Sequence, residues 1–99
     1  MSTFAVKADK FFLPGATSGP GYLLVEDGVF GHFTKEKPDC EIIDRTGSWV
    51  APGLVDTHIH GFLDHDIMDC DPDGVIEIAQ GLLSNGVTSW LPTTLTASV

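Results

Sequence analysis

Two histidines, His58 and His60, close the run Leu54-Val55-Asp56-Thr57-His58-Ile59-His60. Side chains alternate faces along a β-strand, so positions i and i+2 share one. At a rise of ~3.3 Å per residue their Cα atoms lie about 6–7 Å apart. Two imidazoles so spaced reach a single metal ion through bonds of roughly 2.0–2.1 Å. Alone, a His-x-His pair is better explained by surface exposure or hydrogen bonding. Its setting favours metal ligation: Pro52-Gly53 supplies a bend, Leu54-Val55 enters a buried strand, and Gly61 leaves a small residue at the strand exit. Asp56 falls on the same face. A carboxylate there is costly to bury without a partner. It either orients a ligand imidazole as an outer acceptor or bonds local backbone.

The elements that must carry these residues read as one β-α-β unit. The first strand is Leu54 to about Ile59. Asp71-Pro72-Asp73 marks a helix start, with Asp71 as N-cap and Pro72 at the first helical position. Val75, Ile76, Ala79, Leu82 and Leu83 recur at helical spacing and predict one apolar, core-facing stripe. Gly86 after Asn85 is a natural stop, and Val87 to Leu91, rich in β-branched and aromatic residues, predicts the second strand. Parallel strands joined by a helix form a right-handed crossover. Before this unit, short strands alternate with turns: Phe4–Ala8, Phe11–Leu13, Tyr22–Glu26, Val29–Phe33 and Glu41–Asp44. Asp27-Gly28 is a favoured two-residue hairpin turn between two of them. Such a meander buries little by itself. The expected division is residues 1–49, strands of a small β-domain, and 50–99, the β-α-β part.

The segment Pro52-Gly53-Leu54-Val55-Asp56-Thr57-His58-Ile59-His60 resembles the first barrel strand of the amidohydrolase superfamily, with its Pro-Gly-x-x-Asp-x-His-x-His signature. Gly86-Val87-Thr88-Ser89-Trp90-Leu91-Pro92-Thr93-Thr94 is similar to the second strand and following loop of the N-acetylglucosamine-6-phosphate deacetylases. The likeness runs over essentially the whole chain. It implies an α/β fold: the start of a metal-dependent-hydrolase TIM barrel, preceded by strands of a small β-sandwich that the C-terminal end of such enzymes completes. It further implies a divalent cofactor, zinc or iron, with His58 and His60 as ligands. The substrate implied is a sugar phosphate, N-acetylglucosamine 6-phosphate, cleaved to acetate and glucosamine 6-phosphate. The family's glutamate ligand, its two further histidines and its aspartate acid/base have no matching position, so no catalytic residue is assigned among these residues. A (β/α)8 barrel takes about 250 residues, and the chain has 99. The expectation is therefore an N-terminal portion of a longer enzyme, inactive alone, prone to self-association, and a homo-oligomer when whole. Two alternatives stay open: another amidohydrolase, dihydroorotase-like or aminoacylase-like, and a non-catalytic metal-binding module.

Composition narrows the partners. The formal net charge is −9, and the five basic residues, Lys7, Lys10, Lys35, Lys37 and Arg45, are scattered. Nucleic-acid binding requires clustered cations, so no nucleic-acid partner is expected. No apolar run is long enough to cross a bilayer, and the N-terminus lacks a signal-peptide core. These features point to the cytoplasm and away from a membrane. Cys40 and Cys70 have no metal-like spacing and suit a reducing compartment. His65, in Asp64-His65-Asp66, is expected in the loop after the ligand strand, where solvation is the plainer role and contact with substrate or a metal the sharper one. That loop carries Phe62-Leu63 where many relatives are glycine-rich. His32 sits on a hairpin strand, structural or exposed. Thr93 and Thr94 follow a strand, where turn formation is the plainer role and a place at the site mouth the sharper one.

Overall fold

The computed structural model describes Ser2–Ser98, and the chain divides into two compact units on either side of Pro52 and Gly53.

In the first unit β1 (Thr3–Ala8), β2 (Lys10–Leu13), β3 (Ala16–Ser18), β4 (Gly21–Glu26), β5 (Val29–Thr34), β6 (Glu41–Asp44) and β7 (Trp49–Val50) form two sheets. One has the order β5-β4-β1-β6, with β1 antiparallel to β4 and parallel to β6. The other has the order β3-β2-β7. The β4–β5 hairpin turns on Asp27-Gly28, whose φ angles of 52° and 78° are both positive, the geometry of a type I′ turn. β4 is an inner strand, and Leu23, Leu24 and Val25 are all buried on it. Ala8, Phe11 and Leu23 form the core, with Leu13, Phe33 and Val50 packed against it. Phe11 and Phe33 meet edge to face, 5.2 Å between ring centres. The short β3 and β7 carry no periodic apolar signal; β2 recruits them from either side.

The second unit is built on β8 (Leu54–Ile59), β9 (Gly61–Phe62), β10 (His65–Asp66), α1 (Pro72–Ser84) and β11 (Val87–Pro92). β8 and β11 pair in parallel, with Val87 opposite Leu54 and Pro92 opposite Ile59. The strand–helix–strand reading of this region therefore corresponds to what forms. Asp71 caps α1, its carboxylate accepting from the Asp73 N–H at 3.2 Å, and Pro72 opens the first turn. Gly86 follows the helix at a φ of +86°, a left-handed position that glycine occupies without penalty.

Three local readings need correction. The buried face of α1 is Gly74, Ile78 and Leu82, whereas Ile76 and Leu83 are 55% and 60% exposed. At 100° per residue the five predicted residues share an arc of about 120°, but the buried row is centred on Ile78, which is not among them, and Ile76 and Leu83 lie roughly 140–160° around the cylinder from it. Leu54 and Val55 are exposed, not buried. β8 has β11 as its paired strand, and a two-stranded sheet cannot cover both its faces. The stretch after His60 is a hairpin rather than a loop. β9 and β10 pair antiparallel around Leu63-Asp64, with φ of 54° and 62°. A 3₁₀ turn over Ile67–Asp69 follows.

Candidate functional site

Parallel pairing with β11 holds β8 so that its C-terminal end carries His58, Ile59 and His60 beside Thr93. The backbone of Thr93 donates to the Ile59 carbonyl at 2.9 Å. β11 runs two register irregularities along this ladder. At its start the chains approach so closely that a Cβ on Gly53 would lie 1.9 Å from the Thr88 hydroxyl oxygen. The glycine before β8 is therefore required by contact as well as by the bend.

The two imidazoles converge. Their Nε2 atoms are 3.1 Å apart and the rings stand nearly perpendicular, at 84°, with centres 4.8 Å apart. Same-face placement by i, i+2 spacing is thus what the strand delivers. His58 is exposed and His60 half-buried. His60 Nδ1 donates to the Thr93 carbonyl at 3.2 Å. A carbonyl only accepts, so the proton of neutral His60 is on Nδ1 and its Nε2 lone pair is free. The His58 Nε2–H then points at that lone pair. Moving that proton to Nδ1 of His58 presents two nitrogen lone pairs to the same point. Nitrogens 3.1 Å apart suit two bonds of roughly 2.0–2.1 Å to one ion, so the donor set fits a divalent metal. Among the described residues no group of three or more His, Cys, Asp or Glu converges, and a catalytic zinc takes about three protein ligands.

The neighbouring candidates take other roles. Asp56 accepts from the His58 backbone N–H at 3.1 Å, the backbone option of the two open to it. His65 is half-buried, and its Nε2 bonds the Glu77 carboxylate on α1 rather than being left to solvent alone. His32 is exposed on β5. The Thr93 hydroxyl accepts from the Ile59 N–H at 2.9 Å and donates to the Leu91 carbonyl at 3.1 Å. Its carbonyl as the anchor of His60 has no sequence signal, because backbone acceptors are common to every residue type.

The hairpin after the pair is seated on α1 through glycines. A Cβ on Gly81 would lie 2.6 Å from a Leu63 methyl and 3.0 Å from the Phe62 ring, and one on Gly74 would lie 2.8 Å from His65 Nδ1. Gly81, inside the helix, sacrifices about 1 kcal/mol of helix propensity relative to alanine. The bulky Phe62-Leu63 pair thus occupies space that the helix leaves open.

No family model matches the chain. Among curated proteins it is 37% identical over 75 residues to N-acetylgalactosamine-6-phosphate deacetylase of Escherichia coli O157:H7, covering 76% of this chain and 19% of that protein. It is 34% identical over 80 residues to N-acetylglucosamine-6-phosphate deacetylase of Bacillus subtilis, 77% of this chain and 20% of that one. A 5-methylthioadenosine/S-adenosylhomocysteine deaminase of Bacillus cytotoxicus matches over 45 residues at 42%, which is 40% of this chain and 10% of the deaminase. In fold, the chain aligns over 98% of its length with 26% of a Mycobacterium smegmatis N-acetyl-D-glucosamine-6-phosphate deacetylase mutant solved with N-acetyl-D-glucosamine-6-phosphate, at a TM-score of 0.80 and 23% identity. The chain spans about a fifth of the length of the curated deacetylases it matches. In sequence, and with a fold to match, the chain is similar over most of its length to the N-terminal part of N-acetylglucosamine- and N-acetylgalactosamine-6-phosphate deacetylases.

Proposed function

We propose that this chain contributes two metal ligands, His58 and His60, to a divalent-metal-dependent deacetylase that converts N-acetylglucosamine 6-phosphate to glucosamine 6-phosphate and acetate. The observation that carries the reading is the convergence of the two Nε2 atoms to 3.1 Å on a segment whose relatives bear deacetylase names. A divalent ion, zinc or iron, supplies a Lewis acid that polarises an amide carbonyl and acidifies water. The chain's own part is positional. β8 aims both rings, Thr93 holds His60 in the Nδ1–H form, and the docked β9–β10 hairpin closes the adjacent chain segment down on α1. In this reading the β8–α1–β11 unit is the first repeat of a TIM barrel, the remaining ligands and the acid/base come from other parts of the protein, and the enzyme is a cytoplasmic homo-oligomer.

The test is acetate release from N-acetylglucosamine 6-phosphate by the full-length protein, with the galactosamine epimer alongside and metal content measured on the same samples. His58→Ala and His60→Ala should each lower bound metal and cut kcat/KM by more than about 100-fold, beyond the loss usual for an outer-shell partner. Full activity in either variant would overturn the assignment. The deaminase relative supports a second reading, another hydrolase on the same strand scaffold, for which ammonia release from an aminopurine nucleoside in place of acetate release would be the sign.

A further inference from the structure

We infer that Thr93 is a positioning residue for His60, a role that rests on the metal reading above and extends it to a residue that touches no metal. All three of its polar groups are engaged, in four hydrogen bonds. Its N–H donates to the Ile59 carbonyl at 2.9 Å, and its hydroxyl accepts from the Ile59 N–H at 2.9 Å while donating to the Leu91 carbonyl at 3.1 Å. Its own carbonyl takes the His60 Nδ1–H at 3.2 Å. Ile59 lies between the two histidines, so Thr93 grips both backbone polar groups of the residue that joins them.

The hydroxyl matters because β11 ends at Pro92, and just beyond that end the Ile59 N–H takes the threonine side-chain oxygen as its acceptor. With that bond and the Leu91 bond in place, the Thr93 peptide has one orientation, and its carbonyl faces His60. That direction selects the tautomer. A ring held as Nδ1–H presents its Nε2 lone pair toward His58, whereas the Nε2–H form would block it. Thr94, one residue on, is exposed and makes none of these bonds.

The test uses the full-length protein, purified metal-free and labelled with 15N-histidine, with Thr93→Val and Thr93→Ser. The nitrogen shifts of His60 should report the Nδ1–H tautomer in the wild type and in Thr93→Ser, and a mixture in Thr93→Val. Zinc affinity, read by competition with a chromophoric chelator, should fall about 10–100-fold in Thr93→Val and less than about threefold in Thr93→Ser. Unchanged tautomer and affinity in Thr93→Val would overturn the inference, as would a serine variant as impaired as the valine one. Should the valine variant fail to fold, the wild type alone decides: an Nε2–H His60 in the metal-free protein is incompatible with the bond to Thr93. Failure of the wild type to bind zinc would sink the metal reading, whereas the tautomer measurement bears on Thr93 independently.

Discussion

At the scale of single residues, chemistry here is governed by what each polar atom faces. In the proposed metal site His60 would serve as a ligand because its other nitrogen is occupied by a carbonyl, and His58 because its Nε2 meets the same point. Asp56 lies one strand step from the pair yet accepts from backbone, so its carboxylate tightens the strand end without joining the donor set. A separate carboxylate offers a pH test. The Thr46 hydroxyl, with the Thr46 backbone N–H, stabilises ionised Asp44 and holds it below its ordinary value of 3.8, with Lys7 adding a smaller push in the same direction. A group depressed in the folded state adds stability above its unfolded value. That stability is lost as pH falls through the folded one. The Asp44 carboxyl signal, followed by NMR, should therefore titrate below 3.8, and Thr46→Val should return it toward that value. A titration at or above 3.8 in the unsubstituted chain would contradict the Thr46 contact.

At the scale of elements, glycine placement decides how the hairpin after β8 is seated. A Cβ on Gly61 would fall 2.1 Å from the His65 carbonyl oxygen and 3.0 Å from the Asp66 Cα. These are backbone atoms and cannot rotate aside, so the β9–β10 pairing would have to open. Gly61→Ala should cost about 1–3 kcal/mol, in the range of overpacking. Gly19 faces open space at an ordinary backbone angle, and its alanine variant should stay within about 0.5 kcal/mol of the parent. Thermal unfolding of the two variants side by side checks the contrast, and equal midpoints would refute it. The same logic explains α1, whose sequence offers five apolar residues at nearly helical spacing although contact selects only some. Gly74, Ile78 and Leu82 form the closest-packed row, leaving Ile76 and Leu83 outward.

At the scale of the molecule, two units each fold around a modest interior. Among the described residues, large apolar side chains stand open at Phe30, Trp49, Leu54, Val55, Leu83, Leu91 and Leu95. Exposed apolar patches and unpaired strand edges promote association. The 99-residue segment produced alone should self-associate and release no acetate from the deacetylase substrate. With two converging imidazoles and, among the described residues, no group of three or more metal-binding side chains, its zinc affinity should be weaker than about 1 μM. Sedimentation, acetate assay and zinc titration check these outcomes. A monodisperse monomer with a tight, stoichiometric zinc site would instead favour a self-sufficient binding module. Among the described residues no helix is long and apolar enough to cross a membrane.

What the amino-acid order determined by itself is what depends on neighbours along the chain. Asp71-Pro72 starts a helix, Asp27-Gly28 turns a hairpin, and i, i+2 spacing sets His58 and His60 on one face, because capping, turn torsions and strand alternation act over two to four residues. The motif around the pair carried the family likeness for the same reason. What tertiary structure decided is what depends on partners distant in sequence: which side of α1 is buried, how Phe62 and Leu63 fit against Gly81, that His65 belongs to Glu77, and that a carbonyl 33 residues away sets the proton on His60. No local pattern encodes these, since a backbone carbonyl is the same atom in every residue and only the fold chooses what it faces.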